Sequence, residues 1–83
     1  MSRGIYAVRD YKVGFTNVIT DYNDDIAVRG FKSALSPDTL MYNNPKDFAL
    51  FKLGEYDTDT GVIHPCEPIL IEEAYNLMPK GEF

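Results

Sequence analysis

The hydrophobic pattern changes period several times along the chain. Residues 5–9 (IYAVR) place Ile5 and Ala7 on one side of an extended segment and Tyr6 and Val8 on the other. Apolar groups on both sides suit a central strand. Residues 13–20 (VGFTNVIT) are rich in β-branched and aromatic side chains and contain no proline, which predicts a second strand, with Gly14 as the place for a bulge. The two predict a long hairpin.

The period then becomes helical. Asp21 or Asn23 can cap, Asp24 and Asp25 suit a first turn, and Pro37 follows the end, so residues 24–35 read as a helix. Ala27, Phe31, Ala34 and Leu35, with Val28 beside them, form a stripe that should face a sheet. Gly30 implies a close neighbour, and Asp25 and Arg29 stand at the i,i+4 spacing of an ion pair on the wet side. Turn residues in 36–47 frame one apolar triplet, which predicts a loop with a helical turn at 38–42, pinned by Leu40 or Met41.

Residues 48–56 (FALFKLGEY) read as the longest strand, with Ala49, Phe51 and Leu53 on one face and Phe48, Leu50, Lys52 and Tyr56 on the other. Residues 62–64 return antiparallel, and Pro65 and Pro68 are expected to break any long strand. A short strand running into a helical turn is expected after them. The elements add up to one α+β domain over residues 1–83, a small antiparallel sheet of about four strands with one main helix packed on one face.

Eighty-three residues with 45% hydrophobic content fit one globular domain, and no apolar run approaches the roughly 20 residues of a bilayer span. The first residues lack the apolar block of a signal peptide. Cys66 is the single cysteine, so an intrachain disulfide is excluded and a reducing interior is the expected setting. Eight Lys and Arg against 13 Asp and Glu give a formal charge of −5, which opposes non-specific attraction to phosphate and to anionic membranes. A nucleic-acid role therefore needs a local basic patch.

Candidate chemistry is sparse. Asp57-Thr58-Asp59-Thr60-Gly61 begins like a calcium loop, but an EF-hand starting at Asp57 needs glycine where Val62 stands and glutamate where Pro68 stands. An acidic hairpin turn with Gly61 at positive φ fits better. His64 and Cys66 share a strand parity, yet Pro65 separates them and no orienting third group is evident. Catalytic residues, metals and cofactors are not expected, and neither is an enzyme. Single-strand recognition combines aromatic stacking with basic groups, and Tyr6, Tyr11, Phe15 and Tyr42 lie near Arg3, Arg9, Lys12 and Lys46 in sequence. Tyr11 is the aromatic expected to be exposed.

The blocks GIYAVRDYKVGF, NDDIAVRGFKSAL and NPKDFALFKLGEYDTDTG, in that order, resemble the small nonstructural protein of gokushovirus-type microviruses, phages with circular single-stranded DNA genomes. The resemblance implies a non-enzymatic protein made in the host cytoplasm, DNA-binding, with a part in single-stranded DNA synthesis or packaging. It carries over no catalytic residues. The matching positions Asp10, Lys12, Gly14, Arg29, Phe31, Asp47, Phe48 and Gly54 serve the fold as readily as a ligand.

Two functional expectations follow. The first is single-stranded DNA binding through Arg3, Arg9, Tyr11 and Lys12, joined by Arg29 and Lys32. The second is a module that engages a host or phage replication protein through Glu55, Asp57 and Asp59, whose charge suits a basic partner. A homodimer formed by edge-strand pairing is a further expectation.

Overall fold

The computed structural model of the protein describes residues 1–79. Strands β1 (Ser2–Asp10), β2 (Gly14–Asp21), β3 (Phe48–Asp57) and β4 (Ile63–Glu73) form one antiparallel sheet in the order β2-β1-β3-β4. Helix α1 (Asp24–Ser33) follows β2, a single turn α2 (Leu40–Asn43) and a 3₁₀ turn (Pro45–Asp47) lead into β3, and a second 3₁₀ turn (Ala74–Leu77) follows β4. This is the expected α+β architecture. Among the described residues, no helix is long and apolar enough to cross a membrane.

Alternation along the strands sorts side chains between two faces. Tyr6, Phe48 and Leu50 are buried together with Ala27 and Phe31 of α1 and with Ala74, and Val8, Val28, Leu35, Met41, Ile71 and Leu77 close the margins. Burying a large apolar side chain contributes about 1.5–3 kcal/mol, so this single layer between helix and sheet is the main source of stability. Asn23 caps α1 by accepting a hydrogen bond from the Ile26 N–H at 2.9 Å. The loop is pinned by Met41, whereas Leu40 is exposed.

Several expectations need correction. Helix α1 stops at Ser33 and Ala34 is its exposed C-cap, because the Ala34 and Leu35 N–H groups close tight turns onto Gly30, Phe31 and Lys32 carbonyls. Gly30 faces open space, with nothing close to the place of a Cβ. Asp25 and Arg29 form no ion pair, consistent with the small gain available to exposed charges. The hairpin irregularity lies at Asn17, at φ 51, where residues 17 and 18 oppose Ala7, and Gly14 merely starts the strand.

Strand β4 runs through both prolines. It is an edge strand, so its outer side needs no ladder hydrogen bonds, and Pro68 falls where residues 66–68 oppose Leu53 alone. Leu53 is also the extra residue between the pairs Ile5↔Gly54 and Tyr6↔Lys52, which reverses the alternation beyond it. Tyr56 therefore leaves the face of Phe48 and Leu50 and pairs with Arg3 on the opposite one. Gly54 is required at this crossing: its φ is 156, and a Cβ there would lie 2.6 Å from the His64 carbonyl oxygen.

Candidate nucleic-acid interface on the open sheet face

The sheet face opposite α1 has no covering layer among the described elements. Strand β1 sends Arg3, Ile5, Ala7 and Arg9 to it, and the register sets Arg3 beside Tyr56, Ala7 beside Phe51, and Arg9 between Phe15 and Ala49. Ala7 and Ala49 have no accessible surface, since longer neighbours roof them. The Phe15 and Phe51 rings meet edge to face at 5.4 Å between centroids and 88° between planes, a favoured aromatic geometry.

The two arginines stand at opposite ends of this face. The Arg3 guanidinium lies 4.2 Å from the centroid of the Tyr22 ring. Arg9 lies 5.0 Å from that of Phe15 and 5.4 Å from that of Tyr11. Stacking of this kind holds a guanidinium flat. Both Nε atoms are inaccessible and lack a hydrogen-bond partner among the described residues, and neither arginine is in an ion pair there. Six residue steps along the strand separate the two side chains, a span of about 20 Å.

Of the residues named from sequence, Arg9 and Tyr11 are brought together here, and Arg3 stands on the same face at its far end. Lys12 is exposed in the β1–β2 turn, its N–H donating to an Asp10 carboxylate oxygen at 2.9 Å. Arg29 and Lys32 are exposed on α1, across the sheet from this face. Tyr6 is fully buried. Phe51, Tyr56 and Tyr22 join the face without having been selected. For Phe51 the strand alternation of 48–53 was the available signal.

The acids lie elsewhere. Asp10, Asp21, Glu55 and Asp57 share the parity of the helix side, and Asp24 and Asp25 belong to α1, so among the strand acids with a register partner Glu73 of β4 is the one on the open face. Lys52 bridges Glu55 at 3.2 Å and Asp24 at 3.7 Å, while the Tyr6 hydroxyl donates to Asp24 at 2.6 Å. Burial, then the bond to Asp24, pushes the Tyr6 phenol well above its ordinary range. Burial opposes the Lys52 charge, but Glu55 and Asp24 outweigh it and raise its pKa.

The turn acids are engaged within the chain. Asp57 accepts the N–H groups of Asp59 at 2.7 Å and Thr60 at 3.2 Å, which hold its carboxyl below the usual range. Its carbonyl accepts from Gly61, whose φ is 77, so this stretch is the glycine-closed hairpin turn that the sequence suggested. Asp59 meets the Met1 amine at 3.3 Å. Cys66 is exposed and has its Sγ 4.0 Å from the Lys52 carbonyl oxygen; no hydrogen bond joins it to His64 among the described residues.

Bulges at Asn17 on β2 and the prolines of β4 interrupt both outer edges of the sheet, features that disfavour continued ladder pairing. No curated protein and no solved structure matches the chain. The family model described as Phage ORF5 protein matches residues 3–77, nearly the whole described fold with its open arginine and aromatic face, and the chain thus belongs to this phage protein family.

Proposed function

We propose that the protein is a non-enzymatic microvirus nonstructural protein that binds single-stranded DNA across the open face of its sheet, acting in the host cytoplasm during viral DNA synthesis or packaging. The observation that carries this reading is the pair of ring-packed arginines, Arg3 and Arg9, in no ion pair among the described residues, on a face with exposed aromatic surface. A guanidinium packed on a ring and left without a carboxylate keeps its outer NH₂ groups for a phosphate, which supplies acceptors together with the opposite charge. Phe15, Phe51, Tyr56 and Tyr11 offer rings to bases, which are available for stacking only when a strand is unpaired. The formal charge of −5 is compatible with this role because the acids are concentrated on the other side of the sheet.

The test is fluorescence anisotropy of a labelled single-stranded oligonucleotide at low salt, with duplex and a salt series alongside. Binding is expected to favour the single strand and to weaken with salt at a logarithmic slope near −2, about 0.7 for each of three neutralised phosphates. Replacing Arg9 and Lys12 with glutamate (Arg9→Glu, Lys12→Glu) should abolish it. Unchanged affinity in that variant, or no binding by the native chain at low salt, refutes the reading.

A further inference from the structure

Beside the β1–β2 turn, at the end of the sheet, lies a depression of about 350 Å³ lined by Asn43, Asn44, Pro45, Lys46, Asp47 and Tyr75. That volume lies within the range of small-molecule sites. The depression lies at the end of the sheet, next to the Tyr11 end of the face already described: the Tyr11 N–H donates to the Asp47 carbonyl at 2.9 Å, while Asn44 and Asp47 also line a smaller groove that runs to Asp10 and Phe48 on the helix side. The Lys46 ammonium sits 5.0 Å from the Tyr75 ring centroid and is in no ion pair among the described residues.

The polarity of this depression is one-sided. Asn43 Nδ2 donates to the carbonyls of Pro37 at 3.1 Å and Thr39 at 2.8 Å, and Asn44 Nδ2 donates to that of Leu40 at 3.1 Å. These carbonyls fix both amides with their NH₂ groups turned to the backbone, which leaves the amide oxygens as the available atoms. The Asp47 carboxylate accepts no hydrogen bond among the described residues, although its backbone is held at both ends. Apart from the lysine, the lining side chains of Asn43, Asn44 and Asp47 thus offer acceptors.

Base chemistry decides what such a site takes. Guanine carries two parallel donors, N1–H and the exocyclic amine, which match the two oxygens of a carboxylate. Adenine and cytosine set one amine beside an acceptor nitrogen, and thymine sets its one donor between two carbonyls that a carboxylate repels. We infer that this depression is a guanine subsite for the strand crossing the sheet, with Asp47 accepting from the Watson–Crick edge, Tyr75 walling the ring and Lys46 meeting the adjoining phosphate. The inference rests on the single-strand reading and adds a base preference to it.

The experiment compares a labelled oligothymidylate with oligomers of the same length in which one guanosine is placed at each position in turn. Guanosine at one register is expected to tighten binding about five- to tenfold, the low end for a bidentate base contact because the site is open. Asp47→Asn, which keeps size and removes the second charged acceptor, should erase that gain without weakening oligothymidylate binding or lowering the thermal midpoint. Equal affinity for thymidine-only and guanosine-bearing oligomers at every register overturns the guanine subsite alone. Equal weakening of both ligands by Asp47→Asn also overturns it. No binding of any oligomer overturns the subsite and the single-strand reading together.

Discussion

The two faces of this sheet use the same four strands for opposite purposes. On the covered face Tyr6, Phe48 and Leu50 meet Ala27 and Phe31, and acids gather at the rim: Asp21, Asp24, Asp25 and Glu55. On the open face Arg3 and Arg9 stack on rings, while Ala7 and Ala49 are buried with no second layer above them. The difference teaches that a net charge is a poor guide to a surface. A −5 chain gathers most of its strand acids where the helix packs and sets Arg3 and Arg9 where nothing does. In a domain this small, one face suffices for a core and the other is left without a covering layer among the described elements.

The comparison breaks most severely if the two faces respond alike to truncation. Leu50 is 1% exposed, and Leu50→Ala should cost about 2–5 kcal/mol, seen as a large fall in the denaturation midpoint. Any binding loss in that variant should follow the unfolded fraction. Phe51, one residue on and on the other face, is half-buried and touches Phe15. Phe51→Ala is expected to cost only about 1–2 kcal/mol while strongly weakening oligonucleotide binding in the folded protein. Equal stability losses with intact binding in Phe51→Ala would show the open face to be a second core.

How far the sequence exposed this division depends on the element. The strands, the helix and the turn at Asp57 were legible, because alternation, a capping residue and a glycine at positive φ are local signals. The reversal beyond Leu53 was not, since a bulge depends on how β3 meets β1 and β4, and it moved Tyr56 between faces. Pro65 and Pro68 misled for a related reason: proline breaks a central strand and is tolerated at an edge, and edge position is a property of the whole sheet. Arg3, Arg9 and Tyr11 could be grouped from sequence as neighbours on one short segment. Arg29 and Lys32 could not be separated from them until α1 was seen to pack on the other face.

A smaller effect tests how the covered face is tied to its helix. The Tyr6 hydroxyl bonds Asp24 in the first turn of α1, and Tyr6→Phe removes that bond while keeping the ring. A loss of about 1 kcal/mol is expected, low for a charged acceptor because Asp24 is half exposed. The phenol's pKa is raised on folding, so its contribution is full below the ordinary tyrosine value near 10 and declines as pH rises above it. The raised pKa of Lys52 acts in the same alkaline direction. Tyr6→Phe should therefore show a shallower alkaline loss of stability than the native chain, by thermal denaturation across pH, with oligonucleotide binding at neutral pH unaltered.

The smallest effect belongs to the β3–β4 turn, and it separates electrostatics on the open face from electrostatics of the fold. Asp57 has its pKa lowered by the N–H groups of Asp59 and Thr60, so its charge supports the folded state above the ordinary carboxylate value near 4. That support fades as pH falls through the lowered value. Asp57→Asn keeps an oxygen to accept both N–H groups and removes the charge, so the variant should lose a little stability at neutral pH and converge with the native chain in acid. Because register places Asp57 on the helix side, its neutralisation should leave single-strand affinity within twofold, measured by anisotropy at low salt. A marked gain in affinity would mean that the turn's charge reaches the open face, and the separation of the two faces would then be geometric without being electrostatic.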